Sequence, residues 1–320
     1  MPKTCTEIRH ALNGATMGTR WTALVFAPET LDIAPVKAAL QAAVDTVDRQ
    51  MSTWRPDSDL MRLNAAPVGE WVALPAPLMQ VLQLGLEIGA ASGGAFEIGM
   101  GDAVTAWGFG PQEADPSRIR AALQAARIPA HEALALDPAG GRARKTAPLA
   151  LDLNGIAKGY GVDRLAGVLR SQGIERGLVG IDGEMRALGQ RPDGQPWSIA
   201  VEAPDPERRA PQSILALEEA AVATSGDYRH RIAVGGRHLS HTMDPRRGAP
   251  LDGSPASVTV VARSCAAADA WATALMVLGA QEGAALAHRQ GLDALFLLRG
   301  PSGLETVGVG RLFGTGAAAA

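Results

Sequence analysis

An α+β fold, one compact unit in which mixed β-sheets are flanked by helices, is what three features of this 320-residue sequence predict. Amphipathic helical segments are interspersed with short alternating strands, without the regular strand-helix alternation of a doubly wound parallel sheet. The second half is rich in strand patterns. No internal repeat or long linker divides the chain, which argues for one unit rather than two separable ones. With 47% hydrophobic and 20% charged residues the chain has enough apolar material to bury a large core.

Taken in order, residues 16–26 read as a first strand after a glycine turn, and 35–51 as a helix with Val36, Leu40, Val44, Val47 and Met51 on one face. A polar segment follows, and residues 77–91 form a second helix stopped by Ser92-Gly93-Gly94. Residues 112–147 hold a helix and two short strands. A strand over 148–153 runs through a glycine turn into a helix over 155–172. Strands are then expected at 177–181, 197–202 and 220–224, with a hairpin of 229–234 and 237–241 turning at Gly235-Gly236. Residues 257–262 alternate as a strand, 265–279 form a helix with Ser264 as N-cap, and 294–298 and 304–309 close the fold. About 13 residues at the start and about 8 at the alanine-rich end are expected to fray.

A net charge of −3 argues against a general nucleic-acid or membrane-surface binder. The two cysteines, Cys5 and Cys265, are too few and too far apart for a disulfide framework or a cysteine metal cluster. No stretch is apolar enough to span a membrane, and the first twenty residues lack the apolar core of a signal peptide. As written the chain is expected to be cytoplasmic, or periplasmic if a leader has been removed. Neither the dinucleotide-binding glycine pattern, the P-loop nor the Gly-x-Ser-x-Gly elbow is present.

Four clusters could carry chemistry. The run from Asp152 through Asn154, Gly155 and Lys158 places a carboxylate, a glycine turn and a lysine at a helix start, where backbone N–H groups attract anions. The same pattern is also an ordinary strand-to-helix connection. Asp269 and Thr273, four residues apart, share one face of a helix and can hold a hard cation such as Mg²⁺, or be a solvated Asp and a core Thr. His241 and Asp244, in Ser240-His241-Thr242-Met243-Asp244-Pro245, are close enough for one to orient the other as a general base, or form a plain strand-end turn. Ala223-Thr224-Ser225-Gly226-Asp227-Tyr228 reads as a tight turn in preference to a hydroxyl-lined loop.

Together, and in this order, these segments resemble the FAD:protein FMN transferase family, also called the ApbE family. The resemblance begins at Met17-Gly18-Thr19, takes in the polar segment from Met51 to Leu60 and Trp107-Gly108-Phe109-Gly110-Pro111, and continues through all four clusters to Leu275. It implies an ApbE/T-fold-like unit that binds FAD and Mg²⁺, splits the pyrophosphate, and joins the FMN half through a phosphoester to a threonine hydroxyl of an acceptor flavoprotein, releasing AMP. Position by position, it implies FAD contacts at Met17, Trp54, Ala95, Phe96, Glu97, Asp152, Lys158 and Met243. It implies Mg²⁺ ligation by Gly155, through its carbonyl, with Asp269 and Thr273, and it makes His241 the base, assisted by Asp244.

The sequence departs from the family at four of these places. Trp54 stands where tyrosine is usual, Glu97 where aspartate is usual, Met243 where a branched aliphatic is usual, and Ala272 where some members carry an acidic ligand. Two other readings use the same residues: an FAD pyrophosphatase in which water replaces threonine, and a protein that holds FAD without reaction. The metal pair favours either enzyme over the carrier.

Overall fold

The computed structural model describes residues 7–205, 208, 210–228, 231–234, 237–252, 255–301 and 303–314. The chain starts with a hairpin of β1 (Glu7–Thr16) and β2 (Thr19–Pro28), turning at Met17 and Gly18, both at positive φ. For residues 7–13 that corrects the expectation that the start of the chain frays, because Glu7 pairs with Pro28 and Asn13 with Thr22; the rest of that expectation lies outside the described residues. Helix α1 (Ile33–Met51) follows, N-capped by Asp32, and buries the five residues that the 3.6-residue period selected.

A small cap comes next: α2 (Asp59–Ala65), β3 (Val72–Ala73), α3 (Ala76–Ala91), α4 (Gly101–Ala106), α5 (Pro116–Gln124), α6 (Ala130–Ala133), β4 (Leu134–Asp137) and β5 (Arg142–Lys145). Strands β3, β5 and β4 form a three-stranded sheet. Residues 148–153 are not a strand. Leu151 and Leu153 are buried, but the backbone of 150–152 bonds to the Asn64 side chain, to Ile98 and to Gly101 instead of a ladder.

The central elements are α7 (Ala157–Ser171), β6 (Arg176–Ile181), β7 (Glu184–Leu188), the hairpin β8 (Trp197–Glu202) and β9 (Pro211–Leu217), and β10 (Ala221–Gly226). The strand expected at 220–224 thus runs on to Gly226, through Ser225 and Gly226 of the segment expected to be a tight turn. Two short hairpins, β11 (Arg231–Val234) with β12 (Arg237–Ser240) and β13 (Met243–Asp244) with β14 (Ala249–Pro250), precede β15 (Ser257–Ala262). The expected turn at Gly235-Gly236 lies outside the described residues, as do Cys5 and 315–320.

Helix α8 (Cys265–Gln290) is capped by Ser264, as expected, and its helical geometry breaks at Gly279 (φ 77°, ψ 177°), where the sequence ended it; a second helical run continues to Gln290. Strands β16 (Asp293–Gly300) and β17 (Gly303–Val309) complete an eight-stranded sheet in the order β1-β2-β6-β7-β10-β15-β16-β17. Each of its pairings is antiparallel. Residues near both ends of the chain therefore lie in one sheet. Packed on one face are α1, α7 and α8, whose apolar stripes meet Trp21, Val25, Val179, Val258 and Val260. On the other face lies the β8–β9 hairpin, through Trp197, Ile199, Val201 and Leu215. The α+β class read from the sequence is the class observed. No helix among the described residues is long and apolar enough to cross a membrane.

Candidate active site

A cleft of about 1200 Å³ opens where the cap meets the starts of α7 and α8. Its wall includes Met17, Trp54, Ala95, Phe96, Glu97, Asp152, Gly155, Lys158, His241, Met243, Asp269 and Thr273, so twelve of the thirteen residues selected from the sequence converge on one space. The thirteenth, Asp244, is not on that wall. It is buried at the end of β13, where its Oδ1 accepts from the Arg246 backbone N–H of the following turn at 3.0 Å.

The closeness of α7 and α8 sets the centre. A Cβ on Gly159 would collide with the Cys265 carbonyl, so only glycine lets the two helix starts meet. At that crossing the Gly159 N–H donates to Asp269 Oδ2 at 3.0 Å. Thr273, one turn further along α8, has its hydroxyl 3.1 Å from Ser225 Oγ of β10. A Cβ on Gly155 would stand 3.1 Å from Thr273 Oγ1, which places the Gly155 backbone against that hydroxyl. Carboxylate, hydroxyl and backbone oxygen are the donor types a hard cation takes. No group of three or more His, Cys, Asp or Glu able to hold a metal occurs among the described residues, and the set expected here needs none.

Lys158 sits among acids. Its Nζ lies 2.8 Å from Glu184 Oε1 and 3.3 Å from Asp182 Oδ2. Burial alone would pull its ammonium down, but Glu184, Asp269 and Asp182 together outweigh burial and hold it above the ordinary lysine range. Burial, then the negative charge of Glu184, raise the Asp269 carboxyl, with Lys158 and the Gly159 N–H opposing. Both groups therefore shift upward for different reasons: Lys158 because carboxylates surround it, Asp269 chiefly because it is buried. Burial also lifts Asp152 to about 6, against the Asn154 N–H that its Oδ1 accepts at 2.9 Å.

The remaining wall is aromatic and apolar. Trp54 is 61% exposed at the mouth, a free indole face rather than a core residue. Phe96 and Met243 are buried. Glu97 turns its carboxylate toward backbone, accepting from Gly99 N at 2.6 Å and Ala130 N at 3.1 Å, so it braces the loop it belongs to. Ala272 is fully buried.

Sequence reasoning missed Asp182, Glu184 and Ser225 as parts of the site. The Asp182-Gly183 pair was the signal for the first two: both residues have positive φ, and they turn β6 into β7 as a two-residue hairpin. Ser225 was set aside with a segment read as a turn.

The sequence model of the ApbE family matches residues 17–296. The chain belongs to the ApbE family. Among relatives of this ApbE-family protein, one from Vibrio cholerae named FAD:protein FMN transferase is 37% identical over 299 residues, 92% of this chain and 89% of the relative. Solved structures agree in fold. The flavin transferase ApbE from Vibrio cholerae superposes with a TM-score of 0.84 at 34% identity, covering 95% of this chain and 98% of that one. The apo form of the flavinyl transferase ApbE from Pseudomonas stutzeri gives 0.83 at 37% identity, covering 95% of each chain.

Proposed function

We propose that this chain is an FAD:protein FMN transferase that requires Mg²⁺, takes FAD as substrate, and attaches FMN to a threonine hydroxyl of an acceptor flavoprotein with release of AMP. The observation that carries the reading is the convergence of Lys158, Asp269, Thr273, His241 and Trp54 on one cleft large enough for a dinucleotide. The names of its relatives support it.

The flavin half enters over the apolar wall of Met17, Ala95, Phe96 and Met243, with Trp54 available to stack on an aromatic ring. Asp152 and Lys158 meet the polar parts of FAD, Lys158 reaching its phosphates. Three carboxylates around one ammonium leave this end of the cleft too acidic for a pyrophosphate by itself, and that excess supports a cation requirement. Asp269, Thr273 and the Gly155 carbonyl would hold Mg²⁺. When bound, Mg²⁺ supplies neutralisation of charge on the phosphate oxygens.

The threonine Oγ attacks the FMN phosphorus, a new P–O bond forms, and the bond to the AMP phosphate breaks. His241 takes the proton from that Oγ, and Asp244, through the turn it stabilises, helps fix the backbone that carries His241. The test is to incubate the protein with FAD, Mg²⁺ and a threonine-containing acceptor domain and weigh the acceptor by mass spectrometry. An FMN-sized gain is expected. An unchanged acceptor mass, or AMP release that proceeds without acceptor, overturns the reading in favour of binding alone or hydrolysis.

A further inference from the structure

Strand β7 points two charged side chains, Glu184 and Arg186, at α7; each keeps one buried atom without a hydrogen-bond partner, Glu184 Oε2 and Arg186 Nε, but the carboxylates of the two pairs, Glu184 and Asp163, differ. Arg186 pairs with Asp163, whose two oxygens also accept the Cys265 and Ala266 N–H groups at 2.9 and 3.0 Å. Neither residue lines the cleft. Glu184 does line it, is only 4% exposed, and holds Lys158 Nζ with Oε1 while its buried Oε2 has no partner. A carboxylate that served packing alone would be satisfied on both sides, as Asp163 is.

Resting on the flavin-transfer reading, we propose that Glu184 is a positioning residue, acting on the phosphate through Lys158. A lysine side chain has four rotatable bonds and three donors. Asp182 in the β6–β7 turn and Glu184 at the start of β7 both engage Nζ, which leaves a third N–H for a phosphate oxygen. These two contacts fix Nζ in place before substrate arrives.

The test is a double-mutant cycle with E184Q and K158M, reading kcat and KM for FMN transfer, FAD affinity by flavin fluorescence, and thermal stability. E184Q is expected to lower kcat by about tenfold or more while FAD affinity and KM change by less than about threefold. In the K158M background E184Q is expected to change kcat less than about twofold. E184D, which keeps the charge and shortens the reach, is expected to recover part of the rate, and it serves if E184Q fails to fold. Equal effects in both backgrounds, or parallel losses of kcat, affinity and stability, overturn the positioning role. Wild-type transfer is measured first: its absence sinks the proposed function, whereas transfer with an additive cycle sinks the role of Glu184 alone.

Discussion

Two charge clusters sit side by side between α7, β7 and the start of α8, and they were built to different ends. Around Asp163 the charges balance: one carboxylate, one guanidinium, and two N–H groups of a helix N-terminus that also favours negative charge. Around Lys158 they do not: Asp182, Glu184 and Asp269 face one ammonium, and Glu184 Oε2 is left bare. Imbalance in a buried place costs stability, and it persists where a ligand completes the balance. The balanced cluster ties the start of α8 to α7 and β7; under the proposed function the unbalanced one is completed by ligand.

The contrast breaks if Asp269 behaves like Asp163. D269N keeps the shape and an oxygen for the Gly159 N–H, so the fold is expected to stand. Turnover is expected to fall roughly 10²–10³-fold, read as initial rates of acceptor labelling with FAD and Mg²⁺. FAD affinity measured without a cation is expected to hold or tighten, since a negative charge is gone. Weaker cation-free binding would place Asp269 with the structural cluster instead.

D163A is the reverse experiment. It strips Arg186 of its partner and leaves the Cys265 and Ala266 N–H groups at the start of α8 without an acceptor, and about 3 kcal/mol of stability is expected to go, the pair being mostly buried. Urea unfolding monitors this. The folded fraction is expected to bind FAD with little change. A stability loss below about 1 kcal/mol would mean that this cluster does not anchor the helix.

At the far wall, H241A is expected to slow transfer about 10²-fold at saturating FAD with FAD affinity kept, the signature of a lost base rather than a lost contact. An unchanged rate at saturation would exclude His241 from that role.

How far this division could be read in advance depended on whether a signal was local. Asp269 and Thr273 announce themselves by helical spacing, and Ser264 and Gly279 mark where the helix begins and first breaks. The five apolar residues of α1 give its buried face. The acidic surplus was hidden, because Glu184 opens a strand that no hydrophobic alternation marks, Asp182 lies in the turn before it, and both reach Lys158 only through the fold of the sheet. Residues 148–153 failed for the opposite reason. Their apolar run is buried as a strand would be, but the side chain of Asn64, 87 positions earlier, takes the Leu151 backbone groups. Asp244 is adjacent to the site in sequence and bonded away from it in space.

Acidity in the cleft has a smallest, separable consequence in pH. Asp152 ionises near 3.8 in an unfolded chain and at about 6 when folded, burial being the cause. Between those values the folded protein holds a proton that the unfolded chain has lost, so unfolding releases it and rising pH favours unfolding. The contribution of Asp152 is therefore complete below about pH 4, declines up to about pH 6, and is flat beyond. Part of this carboxylate opens to the cleft, which limits the effect to about 1 kcal/mol. D152N cannot ionise, so its melting temperature minus that of wild type is expected to rise from pH 4.5 to pH 6.5, measured without ligand or divalent cation. A difference that stays constant across that range would show that the cleft does not strain this carboxylate. The contrast would then rest on the Lys158 cluster alone.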